Sequence, residues 1–415
     1  MVKTKRKRAT RCSAFFFLQR EGEKDIVKLQ MKTNGKTVFV GVSGGVDSSV
    51  SAAILKDQGY YVVGVFIRTW TPDFIECTWR DERRDAMRVC AHLGIPFLEC
   101  DAEEAYKKGV AEYMIEEYKK GRTPNPDVMC NREVKFGVFW QFAKAHGADF
   151  IATGHYAQNQ LVVSSTYKVE DAKHQMQKGK DDSKDQSYFL WTLTQEDLAH
   201  TLFPVGHLEK SEVRKLAEKY KLPTATKKDS QGVCFLGPLD MKDFLSHYIE
   251  QKKGDVLNVD GEVIGEHDGA VFFTLGERHG FTITKKSPTD TPYYVVAKDI
   301  EKNTITVSIS PKNVFSSGPR ANSPDHSKKT FSGSVLSEEN SVVRVSATNW
   351  ISGLPEQGKK YTAQIRYHGT QLSCGVEVGE NNQATITFDS SILVSSGQSI
   401  VVYDGDVCMG GGVVM

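Results

Sequence analysis

The chain has 415 residues, with 53 Lys and Arg against 52 Asp and Glu. That length exceeds one ordinary hydrophobic core and predicts two or three domains, while the near-zero net charge confines any nucleic-acid surface to a local patch. The eight cysteines are scattered, with no C-x-x-C pair and no Cys/His cluster at zinc spacing, which argues against a structural metal or a disulfide scaffold.

Residues 1–35 read as a disordered basic tail. Lys3, Lys5, Arg6, Lys7, Arg8 and Arg11 precede an apolar run, Ala14 to Leu18, too short for a secretory signal, and Glu21, Glu23 and Asp25 are foreign to an acid-poor transit peptide. A start at Met31 would omit most of this tail. From residue 36 to about 240 strand-like and helix-like segments alternate, which predicts an α/β domain with a mostly parallel sheet. The strands are Thr37 to Val42, Tyr60 to Ile67, Pro96 to Cys100 and Phe150 to Thr153. The helices are Asp47 to Gln58, Asp81 to Leu93, Ala102 to Lys120, Arg132 to His146, Gln195 to Leu202 and Ser211 to Tyr220. Lys168 to Lys184 is polar and reads as an exposed excursion. Residues 241–315 carry Gly-punctuated β segments and predict a small central domain. Within 316–415 a Ser/Pro/Lys-rich linker at Ser316 to Thr330 leads to short alternating segments that predict a β-barrel. No stretch reaches the roughly 18 consecutive apolar residues that span a bilayer.

Gly41-Val42-Ser43-Gly44-Gly45-Val46-Asp47-Ser48-Ser49 lies where a strand runs into a helix. Backbone N–H groups and the helix dipole attract an anion there, and glycines let phosphate approach. Asp47 can cap the helix or hold Mg²⁺. The loop lacks the Lys of a G-x-x-x-x-G-K-[ST] sequence. It resembles the S-G-G-x-D-S pyrophosphate loop of the ATP pyrophosphatases (the PP-loop superfamily), which adenylate a carbonyl oxygen. That resemblance by itself leaves the substrate open.

Gly121-Arg122-Thr123-Pro124-Asn125-Pro126-Asp127-Val128-Met129-Cys130-Asn131 follows a predicted helix and contains two prolines, so it reads as a rigid loop presenting Asn125 and Asp127. Cys130 falls at the start of the predicted Arg132 to His146 helix, where the dipole would stabilise a thiolate. This segment resembles the G-R-T-P-N-P-D-x-x-C-N signature of the tRNA-specific 2-thiouridylases, the wobble-uridine thiolases. Thr153-Gly154-His155-Tyr156-Ala157, Lys184-Asp185-Gln186-Ser187-Tyr188-Phe189, Lys228-Asp229-Ser230-Gln231-Gly232-Val233-Cys234-Phe235 and Tyr403 to Gly412 resemble further motifs of that family in order.

The resemblance implies a Rossmann-like parallel-sheet PP-loop domain, a small mixed or β domain and a C-terminal β-barrel that binds tRNA. It implies ATP, with Mg²⁺, on Gly41, Val42, Ser43, Gly44, Gly45, Val46, Asp47 and Ser48, with Ile67 and Gly154 at the adenosine. Asn125, Pro126 and Asp127 would face the target base. His155, Lys184, Asp185, Gln186, Arg366, Tyr367 and Gln398 would touch tRNA. Cys130 would be the nucleophile, Cys234 the persulfide carrier and Asp127 an acid or base. The implied activity is ATP-dependent 2-thiolation of the wobble uridine in tRNAs for Lys, Glu and Gln, releasing AMP and pyrophosphate. A cysteine-desulfurase relay would supply sulfur, and a Cys130–Cys234 disulfide would form in turnover. A monomer in a bacterial-type cytoplasm is expected, with the mitochondrion as the alternative.

The alternatives are another PP-loop ATP pyrophosphatase, which would leave both cysteine motifs idle, and a catalytically dead RNA-binding protein working through Arg366 and Tyr367. This chain departs from the family pattern in four places. Ile67 stands where Met is usual, Arg68-Thr69-Trp70 replaces Lys-Asn-Trp, Gly276-Glu277-Arg278-His279-Gly280 replaces a Gly-Gln-Arg-x-Gly run, and Ser396-Gly397-Gln398 lacks the usual Pro.

Overall fold

The computed structural model describes residues 26–28, 35–75, 79–164, 173–228, 240–284, 292–309 and 341–415. Strand β1 (Ile26–Lys28) lies inside the expected tail and pairs antiparallel with Ser164, Val163 and Val162. Apart from Gly35, the rest of that tail and the expected linker at 316–330 fall outside the described residues.

The β-branched runs form a five-stranded, all-parallel sheet. Its strands are β2 (Thr37–Gly41), β3 (Tyr61–Arg68), β4 (Phe97–Asp101), β5 (Phe150–Ala152) and, after a hairpin, β8 (Thr201–Leu202), in the order β4-β3-β2-β5-β8. Both faces are covered, so β3 is buried over nearly its whole length, in keeping with a run that is apolar without alternation. Helix α1 (Val46–Asp57) buries Val46, Val50, Ala52, Ala53 and Leu55 against one face together with α2 (Trp79–Leu93). The order reverses between β2 and β5, and the crevice beyond the carboxyl ends of strands at such a switch point is where open α/β sheets bind ligands.

The helix predicted over 102–120 spans residues 103–119, but its middle, Lys107–Glu112, is wound as π-helix, as is Asn131–Val138 in the next helix. The two wide turns meet. A Cβ on Gly109 would stand 2.8 Å from Glu133 Cγ, so a side chain there would push them apart.

The polar stretch predicted as an exposed excursion instead carries β7 (Lys173–Lys178), hairpin partner of β6 (Ala157–Ser164). Polarity misled because this hairpin presents one side to solvent while Met176 is buried. β7 also meets the C-terminal barrel, with Gln177 opposite Val407.

The central domain is a mixed five-stranded sheet in the order Phe281–Ile283, Val263–His267, Gly254–Leu257, Thr304–Ser308, Tyr294–Asp299. One of its pairings, 304–306 with 255–257, is parallel. The C-terminal domain is a closed six-stranded antiparallel barrel of Val342–Asn349, Ala384–Phe388, Leu372–Val378, Lys360–Gln364, Ser399–Asp404 and Val407–Val414, the last two pairing to close it. The barrel has its own core around Val345, Ile386 and Ile400. It also shares one with the first domain, where Tyr188, Leu190, Trp191 and Leu193 pack with Ile351, Val401, Tyr403 and Cys408. No helix among the described residues is long and apolar enough to cross a membrane.

Candidate active site at the switch point and the Asp127 helix

The loop from Val42 to Gly45 turns between β2 and α1. Gly44 has φ +74°, a left-handed conformation, and a Cβ there would lie 2.7 Å from the Glu82 carbonyl oxygen of α2. Both reasons reserve the position for glycine. Ser43 Oγ and Ser48 Oγ lie 3.3 Å apart, the Ser43 N–H points at Ser48 Oγ at 3.3 Å, and Ser49 Oγ donates to the Gly45 carbonyl at 2.6 Å. The turn is therefore pre-formed around the first N–H groups of α1.

Asp47 does not cap this helix: Gly45 is the N-cap, without a side-chain cap bond. Both Asp47 carboxylate oxygens instead accept from Lys210 Nζ at 2.8 Å, and Oδ1 also accepts from the Tyr156 hydroxyl at 2.8 Å. Lys210 opens the Lys210–Lys219 helix and so brings to the loop the cation that its own sequence lacks. Gly154, at the end of β5, closes the other side. A Cβ on it would stand 2.8 Å from the Ser48 N and 2.9 Å from the Asp47 carbonyl carbon. Ile67 ends near the opposite wall, its Cδ1 3.6 Å from where a Gly41 Cβ would be.

The next site element corrects the expected loop. The helix begins at Pro126, not Arg132, with Asn125 as N-cap, its Oδ1 accepting from the Val128 N–H at 3.2 Å. Pro at the first helical position lacks only an N–H that would be unpaired there anyway, and its fixed φ suits the helix. Asp127 thus sits in the first turn, where a carboxylate is stabilised. Cys130 lies more than a turn inside, beyond most of the dipole's reach, so the expected helix-end activation of its thiol does not hold. Asp127 and Cys130, three apart, share a face. Cys130 is fully buried and Asn131 nearly so, the latter donating through Nδ2 to the Phe189 carbonyl at 2.9 Å. Among the described cysteines there is no disulfide, so the expected Cys130–Cys234 bond is not borne out. Cys234 itself lies outside the described residues.

Lys184 to Gln186 leads into the Ser187–Leu190 turn, which packs against this helix. Gln186 clasps the Tyr156 backbone, donating N–H to its carbonyl at 2.8 Å and accepting its N–H on Oε1 at 3.0 Å. Asp185 accepts from the N–H groups of Gly179 and Ser187 and from the Ser187 hydroxyl, while burial pushes its carboxyl up from the usual carboxylate range. The Lys184 N–H bonds the Asp181 carbonyl at 2.9 Å. His155 is buried: Lys135 Nζ donates to Nε2 at 3.3 Å, so Nδ1 carries the proton and donates to Thr153 Oγ1 at 2.7 Å. Burial first, and the Lys135 charge second, hold this imidazole well below 6.5. Both nitrogens thus point at protein, leaving no ring edge for RNA in this conformation.

From the barrel, Arg366 is exposed and the Tyr367 ring lies 4.4 Å from Phe189 and 3.9 Å, stacked, from His368. Burial raises the Tyr367 hydroxyl to about 12, and the charges of Asp185 and Asp127 act in the same direction; the ring reaches the neighbourhood of the Asp127 helix through Phe189, whose carbonyl accepts the Asn131 amide. Gln398 turns inward, its Oε1 accepting the Ser395 N–H at 3.0 Å. Among the described residues no group of three or more His, Cys, Asp or Glu is placed to hold a metal ion.

Three family models match in succession: the tRNA methyl transferase HUP domain over residues 36–238, the tRNA methyl transferase PRC-barrel domain over 242–309 and the aminomethyltransferase β-barrel domain over 340–414. The tRNA-specific 2-thiouridylase MnmA of Francisella tularensis subsp. holarctica is 41% identical over 386 residues, 92% of this chain and 99% of that protein. The chain belongs to the MnmA tRNA-specific 2-thiouridylase family. Its relative in Geobacillus thermodenitrificans is 40% identical over 381 residues, 91% of this chain and 94% of that one. Among solved structures, a U34-tRNA thiolase, NcsA, from Methanococcus maripaludis aligns over 52% of this chain and 66% of its own at 18% identity, with a TM-score of 0.33.

In this member of the MnmA family, Lys210, Tyr156 and Lys135 are the polar groups that motif reading missed. Lys210 is 163 residues from Asp47, and nothing in a charged helix start distinguishes it from a solvated lysine. Only Tyr156 lay within a quoted motif, yet which of those residues would turn to the loop depended on β5 ending beside α1.

Proposed function

We propose that the chain is an ATP-dependent tRNA-uridine 2-sulfurtransferase that converts the wobble uridine of tRNAs for Lys, Glu and Gln to 2-thiouridine. The observation that carries this reading is the match to a tRNA-specific 2-thiouridylase over 92% of this chain and 99% of the relative, which spans all three domains.

Oxygen O2 of uracil is a poor leaving group, so it is first made part of a good one. O2 attacks the α-phosphorus of ATP, pyrophosphate departs, and AMP is left on O2. The Ser43 to Ser48 turn suits this step: its glycines admit the phosphates, its N–H groups face them, and Lys210 offers a cation. Magnesium held by Asp47 would take the place that Lys210 Nζ has on the carboxylate and would offset the charge of the departing pyrophosphate. Asn125, Pro126 and Asp127 face the base, with Asp127 moving the proton.

Sulfur arrives on Cys234 as a persulfide from a cysteine-desulfurase relay. Its terminal sulfur attacks C2 and AMP leaves. Cys130 thiolate then attacks Cys234 Sγ, releasing 2-thiouridine and forming a Cys130–Cys234 disulfide that external thiol reduces. The burial of Cys130 fits a thiol that reacts only once the persulfide has reached it. Arg366 and Tyr367 offer a phosphate contact and a stacking face to the RNA. The enzyme works as a monomer in the cytoplasm, or in the mitochondrion should the natural N-terminus be a transit sequence.

The test is incubation of the purified chain with ATP, a sulfide source and unmodified tRNA, followed by nucleoside mass spectrometry. 2-Thiouridine with stoichiometric AMP is expected; AMP without 2-thiouridine overturns the reading in favour of another ATP pyrophosphatase.

A further inference from the structure

The loop that delivers Asn125 and Asp127 is held from all three domains: Gly121 and Arg122 bond back to Tyr118 and Glu117 of the preceding helix, and the other two domains hold Thr123. Thr123, two residues before Asn125, is buried and donates its N–H to the Ser396 carbonyl of the barrel at 2.7 Å, while its hydroxyl lies 3.2 Å from that of Thr274 in the central domain. Gly397 (φ +91°) presses on the same residue: a Cβ there would stand 3.0 Å from both Thr123 N and O. Gly121 is as tightly covered, since its Cβ would meet Ile300 Cγ1 of the central domain.

The Thr274 side of this clamp is built by one turn. The Glu277 carboxylate accepts the Thr274 N–H at 2.9 Å, the Gly276 N–H and Glu277 carbonyl pair with Val295 at 2.7 and 2.9 Å, and the Leu275 N–H donates to Ser395 Oγ at 3.0 Å. Lys298 underlies the turn, its Nζ donating to the Phe273 carbonyl at 2.5 Å. It acts electrostatically on Glu277, as do His279 and, with opposite sign, Asp240, while Glu277 acts on Tyr118 of the first domain. The central domain has no other polar contact to the segment 121–125 among those described. Glu277 is also where this chain departs from the family's usual Gln.

We propose that Glu277 is a positioning residue for thiolation: by fixing the Thr274–Glu277 turn it makes the central domain hold Thr123, and through Thr123 the Asn125 cap and Asp127, in register with the target base. This rests on the function proposed above. It assigns the central domain a positioning task in the reaction.

The Gln of other family members retains an oxygen for the Thr274 N–H and lacks the charge. Two effects are thereby separable, the hydrogen bond that shapes the turn and the charge on it. Burial raises the Glu277 carboxyl and Lys298 opposes that shift.

The experiment measures thiolation kinetics of the full chain with tRNA, ATP and sulfide for Glu277→Gln, Glu277→Ala, Thr274→Val and Thr274→Ser, together with ATP affinity and thermal midpoint. Glu277→Ala and Thr274→Val are expected to lower kcat about 10-fold or more, by analogy with misplaced positioning contacts, with ATP affinity unchanged within about 2-fold. Thr274→Ser should restore most of the rate. Glu277→Gln, which keeps an oxygen for the Thr274 N–H, should keep most of the kcat. Full kcat in both Glu277→Ala and Thr274→Val overturns the inference, as does a loss that tracks ATP affinity. If Glu277→Ala does not fold, Thr274→Val decides alone, being isosteric. A wild-type chain that makes no 2-thiouridine would instead overturn the function, which is a different result from an active wild type indifferent to these substitutions.

Discussion

Replacing Gly154 by Ala tests the geometry of the nucleotide site with a single methyl group. The new Cβ would stand 2.8 Å from Ser48 N, 2.9 Å from the Asp47 carbonyl carbon and 3.0 Å from Asp47 Cβ. Comfortable separations between non-bonded heavy atoms are about 3.5 Å, so the first turn of α1 and the end of β5 must part by roughly half an ångström. Two of the three atoms are backbone and cannot swing away. Such overpacking costs about 1–3 kcal/mol, and at roughly 2–4 °C per kcal/mol the thermal midpoint should fall by about 2–12 °C. The displaced turn is the one whose N–H groups would meet phosphate, so ATP affinity should weaken about 10-fold, less than the roughly 100-fold attached to a full ångström of misplacement. Differential scanning fluorimetry and isothermal titration with ATP measure both. Gly375→Ala is the control, since a Cβ there meets nothing within 4 Å, and it should stay within about 0.5 kcal/mol of wild type. A Gly154→Ala protein with unchanged midpoint and ATP affinity would refute the packing argument.

Lys210→Met should raise the KM for ATP about 10-fold, with Lys210→Arg retaining part of the function; an unchanged KM would mean that the amine serves only to neutralise Asp47. Cys130→Ser should abolish 2-thiouridine formation while ATP affinity stays within about 2-fold, as measured by nucleoside mass spectrometry and titration. Burial lowers the His155 pKa below its ordinary 6.5, so below pH 6.5 the unfolded chain binds a proton that the folded chain refuses. Resistance to urea should therefore fall as pH drops from 6.5, and His155→Gln should flatten that dependence. Tyr367→Ala should weaken tRNA binding about 10-fold and Tyr367→Phe far less, because stacking needs the ring and not the hydroxyl; equal losses in filter-binding titrations would argue against stacking.

The apolar β-branched run before Ser43 and the Gly-rich turn after it were enough to place the anion site at the end of a parallel strand, because strand, turn and helix are local decisions taken by neighbouring residues. The same holds for the barrel's alternating segments. Pro126 was read as part of a loop although proline is at home in the first turn of a helix; with Asn125 able to cap, the local signal allowed both, and packing of Val128, Met129 and Cys130 into the core chose the helix. That choice moved Cys130 away from the helix end on which its activation had been argued.

By itself the sequence determined the class of chemistry: a PP-loop that suits adenylation, and the Asp127 and Cys130 spacing that joins it to the thiouridylases. What only the tertiary structure decided is which distant groups serve that chemistry. Lys210 reaches Asp47, Tyr367 comes against Phe189, and Thr274 and Ser396 close on Thr123. Each of these contacts joins residues more than 100 positions apart, and a contact of that kind leaves no periodicity or spacing in the chain, because it is created when whole elements pack and not when neighbours choose their dihedral angles.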